Sequence, residues 1–315
     1  MSSSVFENTA AVRALEGFAE LFAHSLWTPI LHKPDDPEYG MPCEDIWFPS
    51  LDGVILEGWY IPTATPSDLL VICNHFLPGN RSGYPGHLKG FDQFGGFEVN
   101  FLPHYKQLHE AGYNIICYDM RNHGRSGTGS GGVVGIGLLE YRDVIGSLRY
   151  AKSRPDTSKM NVYLLSICLG ADSTFVAYKK YPKEFEDIKA MVALQPVSAR
   201  PLVERINKEM GIDFGCEVFD SAYFNKTGFH MDELSPGDYA PFVFTPTLVI
   251  QVHDDSMSFP EDVQSIYDKI GAKDKKLYWI GGTTRRFDGY NFLAKDASLM
   301  LDWFSSHNDK KIVYV

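Results

Sequence analysis

The feature that most constrains this chain is a rhythm. Short apolar runs recur at Leu69–Cys73, Asn114–Tyr118, Val162–Leu165, Ala190–Leu194, Thr247–Val252 and Lys276–Ile280. Helix-length stretches lie between them, near 98–111, 138–153, 169–181, 261–271 and 294–306. A strand that is apolar on both faces must be covered on both, and strands separated by helices pair through crossovers. The pattern predicts an α/β fold built on a mostly parallel, doubly wound sheet. Right-handed crossovers bring the C-terminal ends of the parallel strands to one edge, where the sites of open α/β sheets lie. Ahead of this unit, Glu44–Phe48 and Val54–Ile61 flank the turn Ser50–Gly53 and read as a hairpin.

Two segments stand outside the rhythm. Residues 9–27 place Val12, Leu15, Ala19, Phe22 and Leu26 on one helical face, with Arg13, Glu16 and Glu20 opposite. Pro34, Pro37 and Pro42 then extend the chain, so 1–43 reads as a helical N-terminal extension. Residues 196–241 are too long for one crossover helix and carry Phe214, Phe219, Tyr223, Phe224 and Phe229. They read as a helical lid inserted over the strand edge, between core segments 44–195 and 242–315.

Composition narrows the function classes. With 315 residues, 44% hydrophobic and 14% aromatic, the chain is too apolar to be disordered. A net charge of −11 argues against nucleic acid or an anionic membrane as partner. Five cysteines, an odd number without a CxxC pair, argue against a disulfide framework or a zinc knuckle and for a reducing compartment. The first ten residues lack the basic and apolar regions of a signal peptide, and no apolar run approaches a membrane span. The expectation is a cytoplasmic protein with a small-molecule substrate and no cofactor or metal, a homodimer being left open. Gly127, Gly129 and Gly132 spell G-x-G-x-x-G, but they do not directly follow a strand or open a helix, so a dinucleotide reading is set aside.

The motif richest in chemistry is the strand Val162–Leu165 running into Ser166, Ile167, Cys168, Leu169 and Gly170, then a helix. A strand–small-x-nucleophile-x-small–helix turn is so tight that the residues at ±2 must be small. Position 168 holds Cys where Ser is usual. A thiol at a helix N-terminus meets the positive end of the helix dipole, which favours the reactive thiolate. The contrary reading is a buried apolar thiol, the common fate of free cysteine. A second motif is Asp119, Arg121, His123, Gly124 and Ser126, a D-x-R-x-H-G-x-S string.

Together these motifs resemble the α/β-hydrolase superfamily over residues 44–306, and the Cys elbow is most similar to its dienelactone-hydrolase branch. The resemblance implies a mainly structural role for the string around His123. It implies an oxyanion hole from the N–H groups of Phe76, or Leu77, and Leu169, with His75 orienting the loop. It implies a triad carboxylate after the strand Thr247–Val252, best met by Asp255, with Asp254 second. It also implies a histidine after the last strand, and there this sequence departs. Gly281 and Gly282 are followed by Thr283, Thr284 and Arg285. Arg285 stands where the base is expected, and arginine cannot accept a proton. A thiol depends less on a base than a hydroxyl does. Arg285 would stabilise the thiolate, bind a substrate carboxylate, or simply pair with Asp255. His230 in the lid and His253 beside Asp255 are weaker substitutes.

The resulting expectation is an esterase, thioesterase or acyltransferase that works through Cys168 with Asp255 and Arg285. Its aromatic lid suggests a bulky apolar ester, lactone or thioester. The alternative is a repurposed scaffold without the triad histidine, acting as a non-covalent cyclase or lyase or as a ligand-binding protein.

Overall fold

A computed structural model describes residues 2–25, 27–212 and 214–308, the side chains of residues 2–8 excepted. Eight strands form one sheet: β1 (Glu44–Pro49), β2 (Ile55–Ile61), β3 (Leu69–Asn74), β4 (Asn114–Tyr118), β5 (Asn161–Ile167), β6 (Ile188–Leu194), β7 (Thr247–Val252) and β8 (Lys275–Ile280). Their spatial order is β1-β2-β4-β3-β5-β6-β7-β8. β2 is antiparallel to both neighbours, and every pair from β4 to β8 is parallel. The six apolar runs of the sequence are the six parallel strands. The fully buried β4 and β7 show why they carry no polar alternation.

Helices cover both faces. On one face α3 (Tyr141–Ser153), α4 (Leu169–Lys180) and α7 (Pro260–Lys269) bury Val144, Leu148, Phe175, Val176 and Ile266 against the sheet. On the other, α2 (Leu102–Glu110) and α10 (Ser298–Ser306) bury Leu102, Leu108, Met300 and Phe304. The helix expected over 98–111 starts later. Val99 and Asn100 pair with Gly83 and Tyr84 in a short ladder, and Asn100 Oδ1 accepts from the Leu102 N–H at 3.0 Å. The helix expected over 294–306 is two: α9 (Phe292–Lys295) ends before Asp296, whose carboxylate accepts from the Ser298 N–H and starts α10.

The N-terminal helix α1 spans Ser2–Ala23, earlier at both ends than the apolar periodicity indicates, and Leu26 lies outside the described residues. The segment 196–241 folds into α5 (Ala199–Met210), α6 (Gly215–Thr227) and three short 3-10 turns. Its aromatic content has a packing reason: Phe219 meets Phe18 and Phe22 of α1 at ring separations of 5.7 and 6.0 Å. Thus α1 and α6 pack together over the face that carries α4. No helix among the described residues is long and apolar enough to cross a membrane.

The backbone is closely packed where β5 turns into α4. A Cβ on Gly170 would collide with the carbonyl and side chain of Asn74 at the end of β3. Gly170→Ala is therefore expected to destabilise the fold by about 3 kcal/mol or more, because backbone offers no room to relax. A urea midpoint within error of wild type would show that the turn is looser than described.

Candidate active site

The β5–α4 turn presents Cys168 with φ 49° and ψ −111°. A side chain at that φ is strained by roughly 1–3 kcal/mol, and such strain persists only where the surroundings enforce it. The enforcement is visible. The Cys168 N–H donates to the Leu194 carbonyl at 2.8 Å, and the Gly170 N–H donates to the His75 carbonyl at 3.1 Å. Beneath the turn, Asn74 Nδ2 donates to Ser166 Oγ at 2.9 Å, and Tyr118 O–H donates to Asn74 Oδ1 at 2.6 Å. Ser166 therefore does more than stay small: it pins the turn to β3.

Cys168 is partly buried and lines a cavity of about 40 Å³. Leu77, Leu169, Met257 and Phe287 line it from the core, and Leu21 and Phe22 of α1 close it from above. Leu169 is the first residue of α4, so its N–H has no acceptor within the helix and is free to bind charge beside the sulfur. Phe76 is fully buried, with its ring stacked on Tyr290 at 4.2 Å and its carbonyl taken by the Gly79 N–H at 2.9 Å. It is Leu77, not Phe76, that lines the cavity.

The guanidinium at the site belongs to Arg286, not Arg285. Two glycines after β8 and the bond from the Ser256 N–H to the Thr284 carbonyl, 2.9 Å, set the phase of the turn. Arg285 then precedes α8 (Arg286–Tyr290) and points outward, 61% exposed, paired with Asp288 and lying over the Phe97 ring. Arg286, one residue on, turns inward and is buried. Its Nη1 donates to Asp255 Oδ2 at 2.7 Å, its Nη2 to the Gln195 carbonyl at 2.5 Å and its Nε to Tyr290 Oη at 2.8 Å. Arg286 and Tyr290 line the same cavity as Cys168. Burial works against the Arg286 charge, but Tyr290, Asp255 and Cys168 outweigh it and hold it protonated. Burial likewise pushes the Tyr290 phenol well up, so it stays a hydrogen-bond donor.

Asp255 is the buried carboxylate behind Arg286. Besides Arg286 it accepts from the Met257 N–H at 2.9 Å, Ser258 Oγ at 2.9 Å and Gln251 Nε2 at 3.2 Å. Asp254 is 67% exposed and holds only the His253 ring, which is itself half exposed. His230 lies on the surface, stacked on Phe224 and paired with Asp220. Neither His230 nor His253 lines the cavity. His75 is buried with both ring nitrogens engaged: Nδ1 donates to the Phe76 carbonyl and Nε2 accepts from the Met120 N–H. His123 packs edge-on to it at 5.0 Å, and Arg121 of the same string is tied into Asp143 and Asp52. The string braces the structure, and no histidine among the described residues lines the cavity.

Four residues at this site are missing from the sequence reading: Arg286, Tyr290, Gln195 and Asp172. Gln195 had a signal, a polar residue directly after an apolar strand at the edge where sites form. For Arg286 the signal was present but ambiguous by one residue.

No family model matches the chain. Its curated relatives include the uncharacterized protein YfhR of Escherichia coli K12, 28% identical over 142 residues, which is 44% of this chain and 43% of that protein. YfhR of Salmonella typhimurium LT2 is 30% identical over 150 residues, 46% and 44% of the two chains. The chain thus matches less than half the length of these relatives. Among solved structures, an esterase of Pyrococcus furiosus, Pf2001, superposes with a TM-score of 0.67 at 17% identity, over 91% of this chain and 98% of that one. The α/β hydrolase GrgF from Penicillium sp. sh18 gives 0.59 at 15% identity, over 85% and 99%. A dienelactone hydrolase from Anabaena variabilis gives 0.52 at 17% identity, over 84% and 98%. The chain has the α/β-hydrolase fold.

The bracing histidines give the molecule an acid-sensitive point. Burial lowers the His75 pKa to about 4 and that of His123 to about 3, against about 6.5 in the unfolded chain. Folded values below the unfolded ones mean that stability is full above about pH 6.5 and falls as the pH drops toward 4. Protonation would also turn His75 Nε2 from acceptor to donor and break its bond to Met120. The urea midpoint should fall over that window, and His75→Gln should flatten the fall. An equally steep fall in His75→Gln would remove His75 as its source.

Proposed function

We propose that the protein is an acyl-processing enzyme in which Cys168 attacks an ester, lactone or thioester. The observation that carries this reading is the sulfur itself. It sits on a strained turn and lines an apolar cavity together with two buried polar groups, the Arg286 guanidinium and the Tyr290 hydroxyl. Arginine cannot accept a proton, so what Arg286 would offer a reacting group in this cavity is fixed positive charge rather than proton transfer.

The step balances simply. The thiol proton leaves to solvent, the sulfur forms a bond to the carbonyl carbon and the carbonyl π pair moves to oxygen. The Leu169 N–H, with that of Leu77 or Phe76, would hold this oxyanion. Collapse expels the alcohol or thiol, which takes up a proton, and leaves a Cys168 thioester. Release to water then lacks a general base, because arginine cannot take a proton. The site is better suited to form an acyl-enzyme than to hydrolyse it, which favours transfer to an incoming nucleophile.

The cavity is too small for a bulky acyl chain as it stands. The roof from α1, α5 and α6 would have to lift, in the manner of a lid. The non-covalent alternative, a cyclase, lyase or binding protein, draws on the same lack of an imidazole around Cys168.

Incubation with a p-nitrophenyl ester should give a burst of about one equivalent of p-nitrophenol, a slow steady state and an acyl adduct on the intact protein mass that Cys168→Ala abolishes. Turnover without an adduct, unchanged in Cys168→Ala, would favour the non-covalent reading. A base placed beside the sulfur should release the bottleneck: Arg286→His is expected to shorten the life of the acyl-enzyme at least about tenfold. An unaltered lifetime would show that water activation is not what limits release.

A further inference from the structure

One polar side chain in the cavity has no part in the chemistry above. Asp172 lies one turn into α4, its N–H donating to the Cys168 carbonyl at 2.9 Å, and it lines the same cavity as Cys168 and Arg286. It is almost fully buried. Its Oδ1 accepts a long bond, 3.4 Å, from the Val197 N–H, and its Oδ2 has no hydrogen-bond partner among the described residues. Buried polar atoms are nearly always satisfied, and leaving one unpaired costs about 1–3 kcal/mol. Apart from Cys168, Arg286 and Tyr290, the cavity walls around it are apolar, with Leu77, Ile136, Val197 and Leu202 among them.

We propose that Asp172 is a specificity-determining residue, donating a hydrogen bond from its neutral carboxyl to an uncharged oxygen on the acyl chain of the substrate. The protonation state follows from position. Burial favours the neutral acid; the Val197 N–H and Arg286 oppose this, and Asp262 of α7 adds to it, so the pKa is well above the ordinary carboxylate range. A neutral carboxyl leaves Oδ2 a donor without a partner on a residue that lines the cavity. Asp172 stands four positions along the chain from Cys168, a helical rise of about 6 Å. The acceptor oxygen therefore sits several bonds beyond the carbonyl that Cys168 attacks. The substrate class is an oxygenated acyl group, such as an oxoacyl ester or thioester, rather than a plain fatty acyl group. An acyl chain with a terminal carboxylate would bury a second charge near this acid and is disfavoured.

This inference rests on the acyl-processing reading, so its test has one readout independent of Cys168 chemistry. In the first, the octanoyl thioester of N-acetylcysteamine is compared with its 3-, 5- and 7-oxo counterparts. At least one oxoacyl thioester should acylate Cys168 about 5–20-fold faster than octanoyl, the worth of one buried hydrogen bond. Asp172→Asn, which keeps a donor, should retain most of that ratio, and Asp172→Leu should bring it to about one. A purely structural Asp172 would change stability and leave the ratio where it was. In the second, Cys168→Ala protein is titrated with the same thioesters as unreacting ligands. Difference infrared spectra should show a protonated-carboxyl band, removed by Asp172→Asn, that shifts with the favoured oxoacyl probe and not with octanoyl. The proposal is overturned if no oxoacyl probe binds better than octanoyl, or if the band stays still when one does. Failure of Cys168 to acylate, with the band shift intact, would sink the covalent reading and leave the Asp172 contact standing.

Discussion

A guanidinium with almost no access to water organises this site. Arg286 ties Asp255 after β7 to the Gln195 carbonyl after β6 and to Tyr290 of its own helix, and it lines the cavity together with Cys168 after β5. Burying a charge in this way is tolerable only when its hydrogens are all taken, and removing one partner would leave the other uncompensated. Gln195 closes the arrangement from the other side. Its Nε2 donates to the Arg286 carbonyl at 2.5 Å while its own backbone, at φ 56°, donates to the Ile250 carbonyl. The ends of three adjacent parallel strands are thereby locked together at the edge where the cavity opens.

The second constraint is the turn that carries the sulfur. It joins a buried strand to a helix buried along most of its length, so neither side can relax. Asn74, Ser166 and Thr174 form a polar knot under it, with Tyr118 completing the Asn74 amide. Such a knot is costly if incomplete and rigid if satisfied. Rigidity is what a side chain on a strained turn requires, because strain is kept only where the frame over-determines the geometry.

The parallel strands were legible because fully buried strands cannot afford polar alternation, and that leaves a mark no helix boundary leaves. The elbow was legible because its small residues answer to steric limits that Gly170 still shows. The switch from Arg285 to Arg286 was not legible, because two adjacent arginines after a pair of glycines fit either phase. Only the backbone bond from Ser256 to Thr284 decides which one faces in. Asp172 was hidden for a different reason: an acid in the first turn of a helix is usual on dipole grounds alone, and its lack of a partner is a property of the packed cavity. The contribution of α1 to the cavity roof was equally invisible, since an apolar helical face does not say what it covers.

The proposed chemistry requires Arg286 to act on the sulfur by charge. The direct measurement is the rate at which iodoacetamide alkylates Cys168 at neutral pH, followed by intact mass, in wild type, in Arg285→Met and in the pair Arg286→Met with Asp255→Leu. The pair removes both buried charges and leaves neither stranded. The account predicts wild-type reactivity for Arg285→Met and a fall of about tenfold or more for the folded double variant. Equal rates in all three proteins would mean that the guanidinium holds the fold together and leaves the sulfur untouched.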